Sequence, residues 1–224
     1  MTDQDPIRIL LTGFGPFPGV RTNPSGAFLK HFATGFSPVS RNVTLRVEML
    51  ATSWTGVEAF VAGALADYNP HIALHFGIHG RADGFRIETR ARNRAGPHAD
   101  VDGKQFGKNR LVADAPPLLH ATLPAHKLVH SLRSRGLPAN PSHDAGRYLC
   151  NMLLYLSLKQ AGETTGPRQT GFIHIPQIAD AGRRKSGKKD ARFDMVTLLE
   201  GAEIIANRCI VAHRRLARKA SDAR

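Results

Sequence analysis

Cysteine is nearly missing from this sequence: Cys150 and Cys209 are the only two in 224 residues. Far apart and without Cys-x-x-Cys spacing, they make neither a zinc site nor a disulfide framework, which points to a reducing compartment. Long apolar runs are lacking too. No stretch approaches the roughly 20 apolar residues that a membrane-spanning helix needs. The opening residues, MTDQDP, are acidic and polar and do not read as a secretory signal. A cytoplasmic protein with no membrane partner is therefore expected. Acidic residues are scarce beside basic ones, 18 against 31, giving a formal charge of +13. Such an excess suits phosphate binding. Much of it, however, lies in GRRKSGKKDAR (182–192), a Gly-containing loop, and HRRLARK (213–219), at an expected helix end where cations suit the backbone dipole. With no aromatic-spaced RNA signature and no zinc-finger spacing, specific binding to nucleic acid is not expected. No internal repeat, low-complexity tract or linker divides the chain. Its 42% hydrophobic and 22% charged content is that of an ordinary folded protein, so one domain over 1–224 is expected.

What the chain does contain is an alternation of short apolar runs and helical patterns. IRILLTGF (7–14), HIALHFGIHG (71–80) and GFIHIP (171–176) have the look of buried strands, and RNVTLRVEML (41–50) alternates like a strand with one wet face. FRIETRARN (85–93) reads as extended with alternating polar residues. Helices are expected after Asn23, which can cap with Pro24 in the first turn, over about 55–68 before Asn69 and Pro70, from Pro124 to Gly136, from Cys150 to about Ala161, and at the C-terminus. On that last helix Met195, Leu198, Leu199, Ala202, Ile205, Ala206 and Cys209 share a face, which makes Cys209 a core residue. Residues 94–117 are polar, rich in Gly, Pro and Asp, and read as a long surface excursion. The alternation predicts a single-domain three-layer α/β/α sandwich around a central mixed, largely parallel sheet.

In such a sheet functional groups gather at strand ends and helix starts. Cys150 begins a helix in SHDAGRYLCNMLLYLSLKQAG (142–162), where the dipole and unpartnered amides favour thiolate over thiol. His174 lies beside the proline that ends GFIHIP, and Glu88 lies on the half-polar segment after HGR. Together they supply the thiol, the imidazole and the orienting acceptor that a cysteine hydrolase needs. Taken one by one they are weaker signals. Free cysteine is among the most buried residue types, His174 is one of eleven histidines, and a carboxylate is commonly solvated.

The surrounding motifs are more specific. LLTGFGPFPGVRTNPS (10–25) resembles the N-terminal motif of the pyroglutamyl peptidase I (pyrrolidone-carboxylate peptidase) family, TGF-x-PF-x-G followed by NPS. SHDAGRYLCN is similar to its cysteine motif, GFIHIP to its histidine strand, and GRADGFRIETRARN to its glutamate motif through Glu88, Ala91 and Asn93. The four occur in the family's order and span residues 10–176. The resemblance implies a cysteine exopeptidase (omega peptidase) that removes an N-terminal L-pyroglutamyl residue through a thioester. Cys150 would be its nucleophile, His174 its proton carrier and Glu88 the orienting partner. Phe14 and Phe17 would hold the flat pyrrolidone ring, with Tyr148 and Leu149 completing that pocket. Asn23 would either line the pocket or fix the loop that carries Phe17. Backbone at the start of the Cys150 helix is the natural oxyanion donor, and backbone around 77–80 is the candidate partner of the lactam. No metal and no cofactor are implied. The partners are peptides with N-terminal pyroglutamate and, since family members are often homo-oligomers, further copies of the chain in a number the sequence leaves open.

The glutamate motif departs from the family pattern. Thr89 stands where a basic residue usually follows the glutamate, the spacing from Gly80 to Glu88 is one residue longer, and His98 aligns with a family arginine. Arg90 is the candidate to restore the charge. Pro141 replaces an aliphatic residue before Ser142 and stiffens the approach to it. Two rivals to an active pyroglutamyl peptidase follow: a related hydrolase of another blocked N-terminus or small amide, and an inactive relative whose basic surface binds an acidic partner.

Overall fold

Segments with few charged residues, IRILLTGF, IALHFGI and QTGFIHI, form the centre of the sheet. In the computed structural model, which describes residues 6–17, 19–20, 22–162, 169–178 and 193–222, they are β1 (Ile7–Phe14), β3 (Ile72–Ile78) and β8 (Gln169–Ile175). Between β1 and β3 come α1 (Pro24–Gly35), β2 (Val43–Leu50), α2 (Trp54–Phe60), a π-helical stretch (Val61–Leu65) and a last turn, α3 (Ala66–Tyr68). Between β3 and β8 come β4 (Phe85–Glu88), β5 (Arg90–Arg92), β6 (Leu118–His120), α4 (Ala125–Arg133), β7 (Ala139–Ser142) and α5 (Leu149–Ala161). The helix α6 (Met195–Asp222) closes the chain. The basic segment 182–192 lies outside the described residues.

The main sheet has the order β2-β1-β3-β8-β4-β7. Strands β2, β1, β3 and β8 run parallel, β4 is antiparallel to β8, and β7 is parallel to β4. One face carries Ile9, Leu11, Leu74, Phe76, Ile87 and Ile173 against α1, α4 and α6. The other carries Leu10, Ala73 and Phe172 against α2 and α5. Burial on both faces is why the parallel strands are apolar without alternation. The expected three-layer α/β/α arrangement with a mixed, largely parallel sheet is the one observed.

Several local choices set the ends of these elements. A Cβ on Gly13 would fall 1.6 Å from the Ser25 carbonyl oxygen, so glycine is what lets the end of β1 touch the start of α1. Asn23 caps α1: its Oδ1 accepts from the Ser25 N–H and hydroxyl, and its Nδ2 donates to the Gly15 carbonyl. Asn69, with φ of 46°, ends the helical run from Trp54. β7 contains Pro141 and is an edge strand, where a missing N–H is tolerated.

Residues 94–117 are irregular, but side chains staple them. Asp100 accepts from the N–H groups of Trp54, Asp102 and Lys104, and Asn93 bonds Val112 and Ala115. Two short strands flank this region: β5, the end of the stretch read as extended over 85–93, and β6, which the sequence reading lacked. β5 and β6 pair antiparallel as a separate two-stranded sheet.

His75 stands fully buried on β3, its Nδ1 2.8 Å from the Thr12 hydroxyl. Burial pushes its imidazole down to about 3. An unfolded histidine takes up a proton below about pH 6.5, whereas this one stays neutral until far lower. Its contribution to stability is therefore complete above that pH and lost as pH falls toward the folded value. Urea unfolding is expected to show stability dropping by up to about 1.4 kcal/mol per pH unit from this group between about pH 6 and about pH 4. His75→Gln should flatten that slope; an unchanged slope would contradict a neutral buried imidazole.

Candidate active site

Alternation along a strand places His75 and Gly77 on one face of β3, with His79 continuing that alternation just past the strand's end, and Phe172 and His174 on one face of β8. Phe172 belongs to the cluster packed on α5, so that face looks toward the helix that begins at Leu149. Gly77 and His174 are direct partners in the parallel β3–β8 register. A Cβ built on Gly77 would lie 3.0 Å from the Cys150 sulfur and 2.7 Å from the Phe172 ring. The thiol thus fills the space that a β3 side chain would take, one strand away from His174. Neighbouring strands lie about 4.8 Å apart, which puts the sulfur and the imidazole on the same small area of the sheet.

His174 is 2% exposed and Glu88 is fully buried, and their Nδ1 and Oε1 are 2.8 Å apart. The bond exists because β4 runs antiparallel beside β8, with Arg86 opposite His174 and Glu88 two residues further along the same strand face. Accepting a hydrogen from Nδ1 leaves the imidazole Nε2 with its lone pair free to act as a base. Arg86 adds a cation to this corner. Its Nη2 donates to the Ser142 hydroxyl at 2.9 Å and its Nε is 4.0 Å from Glu88 Oε1. The second carboxylate oxygen, Glu88 Oε2, is buried without a hydrogen-bond partner among the described residues.

Cys150 is the second residue of α5. The helix start was expected to favour thiolate, and the structure corrects this. The residue is part-buried, with its sulfur packed against the sheet over Gly77. Burial, with the negative charge of Glu88 added, pushes the thiol up to about 12, outweighing the pull of the Cys150 backbone N–H. That shift favours a neutral thiol at rest. The first N–H groups of α5 remain free of helical partners, a ready oxyanion site beside the sulfur. Asn151 locks the arrangement: its amide bonds the backbone N–H and carbonyl of Arg92 and the carbonyl of Arg94, tying the chain after Glu88 to the helix of Cys150.

The other expected residues fall into two groups. Phe17 and Tyr148 are part-exposed. Phe17 exchanges both backbone hydrogen bonds with Val20, and Tyr148 bonds the Ala99 carbonyl and packs on Trp54 and His98. Phe14 and Leu149 are core residues of the α5 side, at 3% and 1% exposure. Asn23 is buried and bonded to Gly15 and Ser25, the loop-fixing alternative. Arg90 does not restore a charge beside Glu88; its Nε bonds the His143 carbonyl, and Thr89 bonds the Ser142 carbonyl. The cation beside Glu88 is Arg86, which sequence reasoning missed together with Asn151 and His79. Arg86 and Glu88 are two residues apart on the same face of β4, a relation that the period of a strand could have shown.

A separate cleft of about 720 Å³ lies between α4 and α6, lined by Lys127, Arg208, Arg215 and Leu216 among others. It touches Gln169 at the far end of β8 from His174 and contains none of the residues above. Among the described residues no three His, Cys, Asp or Glu side chains converge as a metal-binding set.

Comparison with known proteins gives a consistent result. The family model described as pyroglutamyl peptidase matches residues 7–224. The pyrrolidone-carboxylate peptidase of Pyrococcus furiosus is 33% identical over 183 residues, covering 81% of this chain and 86% of that protein. The one from Gloeobacter violaceus is 32% identical over 203 residues, covering 89% and 95%. Among solved structures, pyrrolidone carboxyl peptidase from Pyrococcus furiosus superposes with a TM-score of 0.81 at 27% identity over 92% of this chain and 99% of that one. Pyroglutamyl peptidase I of Bacillus amyloliquefaciens gives 0.79 at 26% identity, over 89% and 95%.

A neutral resting thiol has a measurable consequence. The rate of iodoacetamide labelling at Cys150, located by peptide mass mapping, is expected to rise close to tenfold per pH unit from about pH 7 to about pH 10 without levelling. A plateau reached below about pH 8 would mean that the thiolate already exists at rest.

Proposed function

The chain belongs to the pyroglutamyl peptidase family, cysteine omega peptidases that remove an N-terminal pyroglutamyl residue, and we propose that Cys150, His174 and Glu88 carry that reaction in it. The observation that carries the assignment is the buried 2.8 Å bond from His174 to Glu88, one strand away from the glycine over which the Cys150 sulfur lies.

His174 Nε2 takes the proton from Cys150 as the sulfur attacks the carbonyl carbon of the pyroglutamyl residue. The C=O pair moves onto oxygen, and that oxyanion is met by the free N–H groups at the start of α5. Glu88 holds Nδ1–H and stabilises the imidazolium. Collapse of the intermediate breaks the C–N bond while His174 returns its proton to the leaving amine, giving a thioester and a peptide shortened by one residue. Water then attacks the thioester with His174 as base, releasing pyroglutamate and restoring the thiol. Because the thiol is neutral at rest, the proton moves only when an acyl carbon is present to receive the sulfur.

Phe17 and Tyr148, aromatic and part-exposed, are the side chains suited to contact the small uncharged lactam ring. Phe14 and Leu149 support that pocket from the core, and Asn23 acts through the loop it fixes. One hydrolase domain accounts for the chain, supported by a single family match over 7–224. Both cysteines are free thiols, and no described helix is long and apolar enough to cross a membrane. The free thiols support a reducing, cytoplasmic setting.

Hydrolysis of pyroglutamyl-aminomethylcoumarin tests the assignment. Wild-type protein should release the fluorophore, and Cys150→Ala should abolish the release. Glu88→Gln should lower kcat by about a hundredfold or more, since it leaves the imidazole unoriented. Turnover surviving in Cys150→Ala, or unaffected in Glu88→Gln, would overturn it.

A further inference from the structure

The mechanism above uses one histidine, yet a second lies against it. His79 follows directly on β3, on the same face as Gly77, with its N–H bonded to the Ile175 carbonyl at 2.9 Å. Its ring centroid is 5.3 Å from that of His174, at an interplanar angle of 67°. Phe172 contacts His174 as well, at 4.7 Å, so the catalytic imidazole is held between two rings and its bond to Glu88. His79 differs from Phe172 in being part-exposed, and it can therefore exchange protons with solvent.

We propose that His79 is a positioning residue for His174: neutral, it holds that ring for proton transfer, and protonated, it opposes the imidazolium that acylation requires, so that two imidazoles set the acid limit of turnover. The inference rests on the peptidase assignment made above.

The tautomer and the surrounding charges support it. His79 Nδ1 accepts the Arg81 N–H at 3.3 Å, so the neutral ring carries its hydrogen on Nε2. The groups facing His79 are His174 on β8, Arg86 and Glu88 on β4, and Arg81 in the turn after β3. Burial, then His174 and Arg86, and lastly Arg81 disfavour its protonated form; Glu88 alone favours it. Since that carboxylate already serves His174, little is left to hold a second cation, and His79 stays neutral below the usual histidine range. When pH falls far enough to charge it, the new cation lies one ring contact from the imidazole that must itself become a cation, and like charges at that distance oppose each other.

The pH dependence of kcat/KM for pyroglutamyl-aminomethylcoumarin tests this within the range where circular dichroism shows native protein. The wild-type acid limb should fall with a slope of one that steepens toward two, whereas His79→Phe should keep a slope of one throughout. At neutral pH, His79→Ala should lower kcat by about three- to tenfold with KM little changed, and His79→Phe, which restores a ring, should recover most of it. A wild-type limb that stays at slope one and coincides with that of His79→Phe overturns the proposal. Histidine ring NMR titration decides the pairing without turnover. The His79 and His174 resonances should each respond at the other's midpoint, and independent titrations overturn it. Absence of hydrolysis in the wild type would remove the peptidase assignment, while the titration would still decide whether the imidazoles are coupled.

Discussion

The hydrogen bond between Glu88 and His174 is the constraint on which the rest of the site depends. A fully buried carboxylate must be compensated, because removing one partner of a buried charged pair costs about 3–5 kcal/mol. Here the compensation is an imidazole 86 positions away in sequence. An antiparallel β4 inserted beside β8 delivers it. That insertion breaks the parallel order of the sheet, and the structure secures it repeatedly. Arg86 bonds Ser142, Thr89 bonds the Ser142 carbonyl, and Asn151 bonds the backbone at Arg92 and Arg94. The last of these joins the glutamate segment to the helix of Cys150, so the carboxylate and the thiol are located by one connected framework.

Gly77 settles the remaining distance. A side chain at that position would occupy the place of the Cys150 sulfur and press on Phe172. Its absence lets α5 approach the sheet until the thiol stands beside the column of His174. The same close approach takes the thiol partly out of water and, with Glu88, pushes it up to about 12. A buried neutral thiol reacts slowly with oxidants and stray electrophiles. In the proposed reaction the amides at the start of α5 would face an oxyanion that forms only during acylation, so their stabilisation would be reserved for the transition state.

The parts of this fold that were legible in the sequence are those where local pattern and tertiary role agree. β1, β3 and β8 announce themselves as apolar runs because both faces are covered, and Leu198, Ala202, Ile205 and Ala206 mark the buried stripe of α6 through their spacing. Cys150, His174 and Glu88 were legible through the motifs around them. What stayed hidden depends on strand order or on single polar bonds. β7, with sequence ANPS, has four residues and a proline and offers no alternation. The π-helical stretch at Val61–Leu65 leaves no mark in a pattern read at 3.6 residues per turn. FRIETRARN reads as one strand but divides at Thr89 between two sheets. The thiolate expected from the helix dipole was overruled by burial, which a sequence does not display. The charge sought in Arg90 comes from Arg86, two residues before Glu88 on the same strand face, a relation legible in period-2 spacing but passed over.

The most direct measurement of the central claim is a cross-link between sulfur and imidazole. 1,3-Dibromoacetone carries two electrophilic carbons separated by a single carbonyl, so after alkylating Cys150 it can close only on a nucleophilic nitrogen within one short bridge of the sulfur. Peptide mapping is expected to recover Cys150 joined to His174, with the bridge formed much less often in Glu88→Gln, where the ring is no longer oriented. Recovery of Cys150 alkylated once and never bridged, or bridged to His75 in place of His174, would contradict the account.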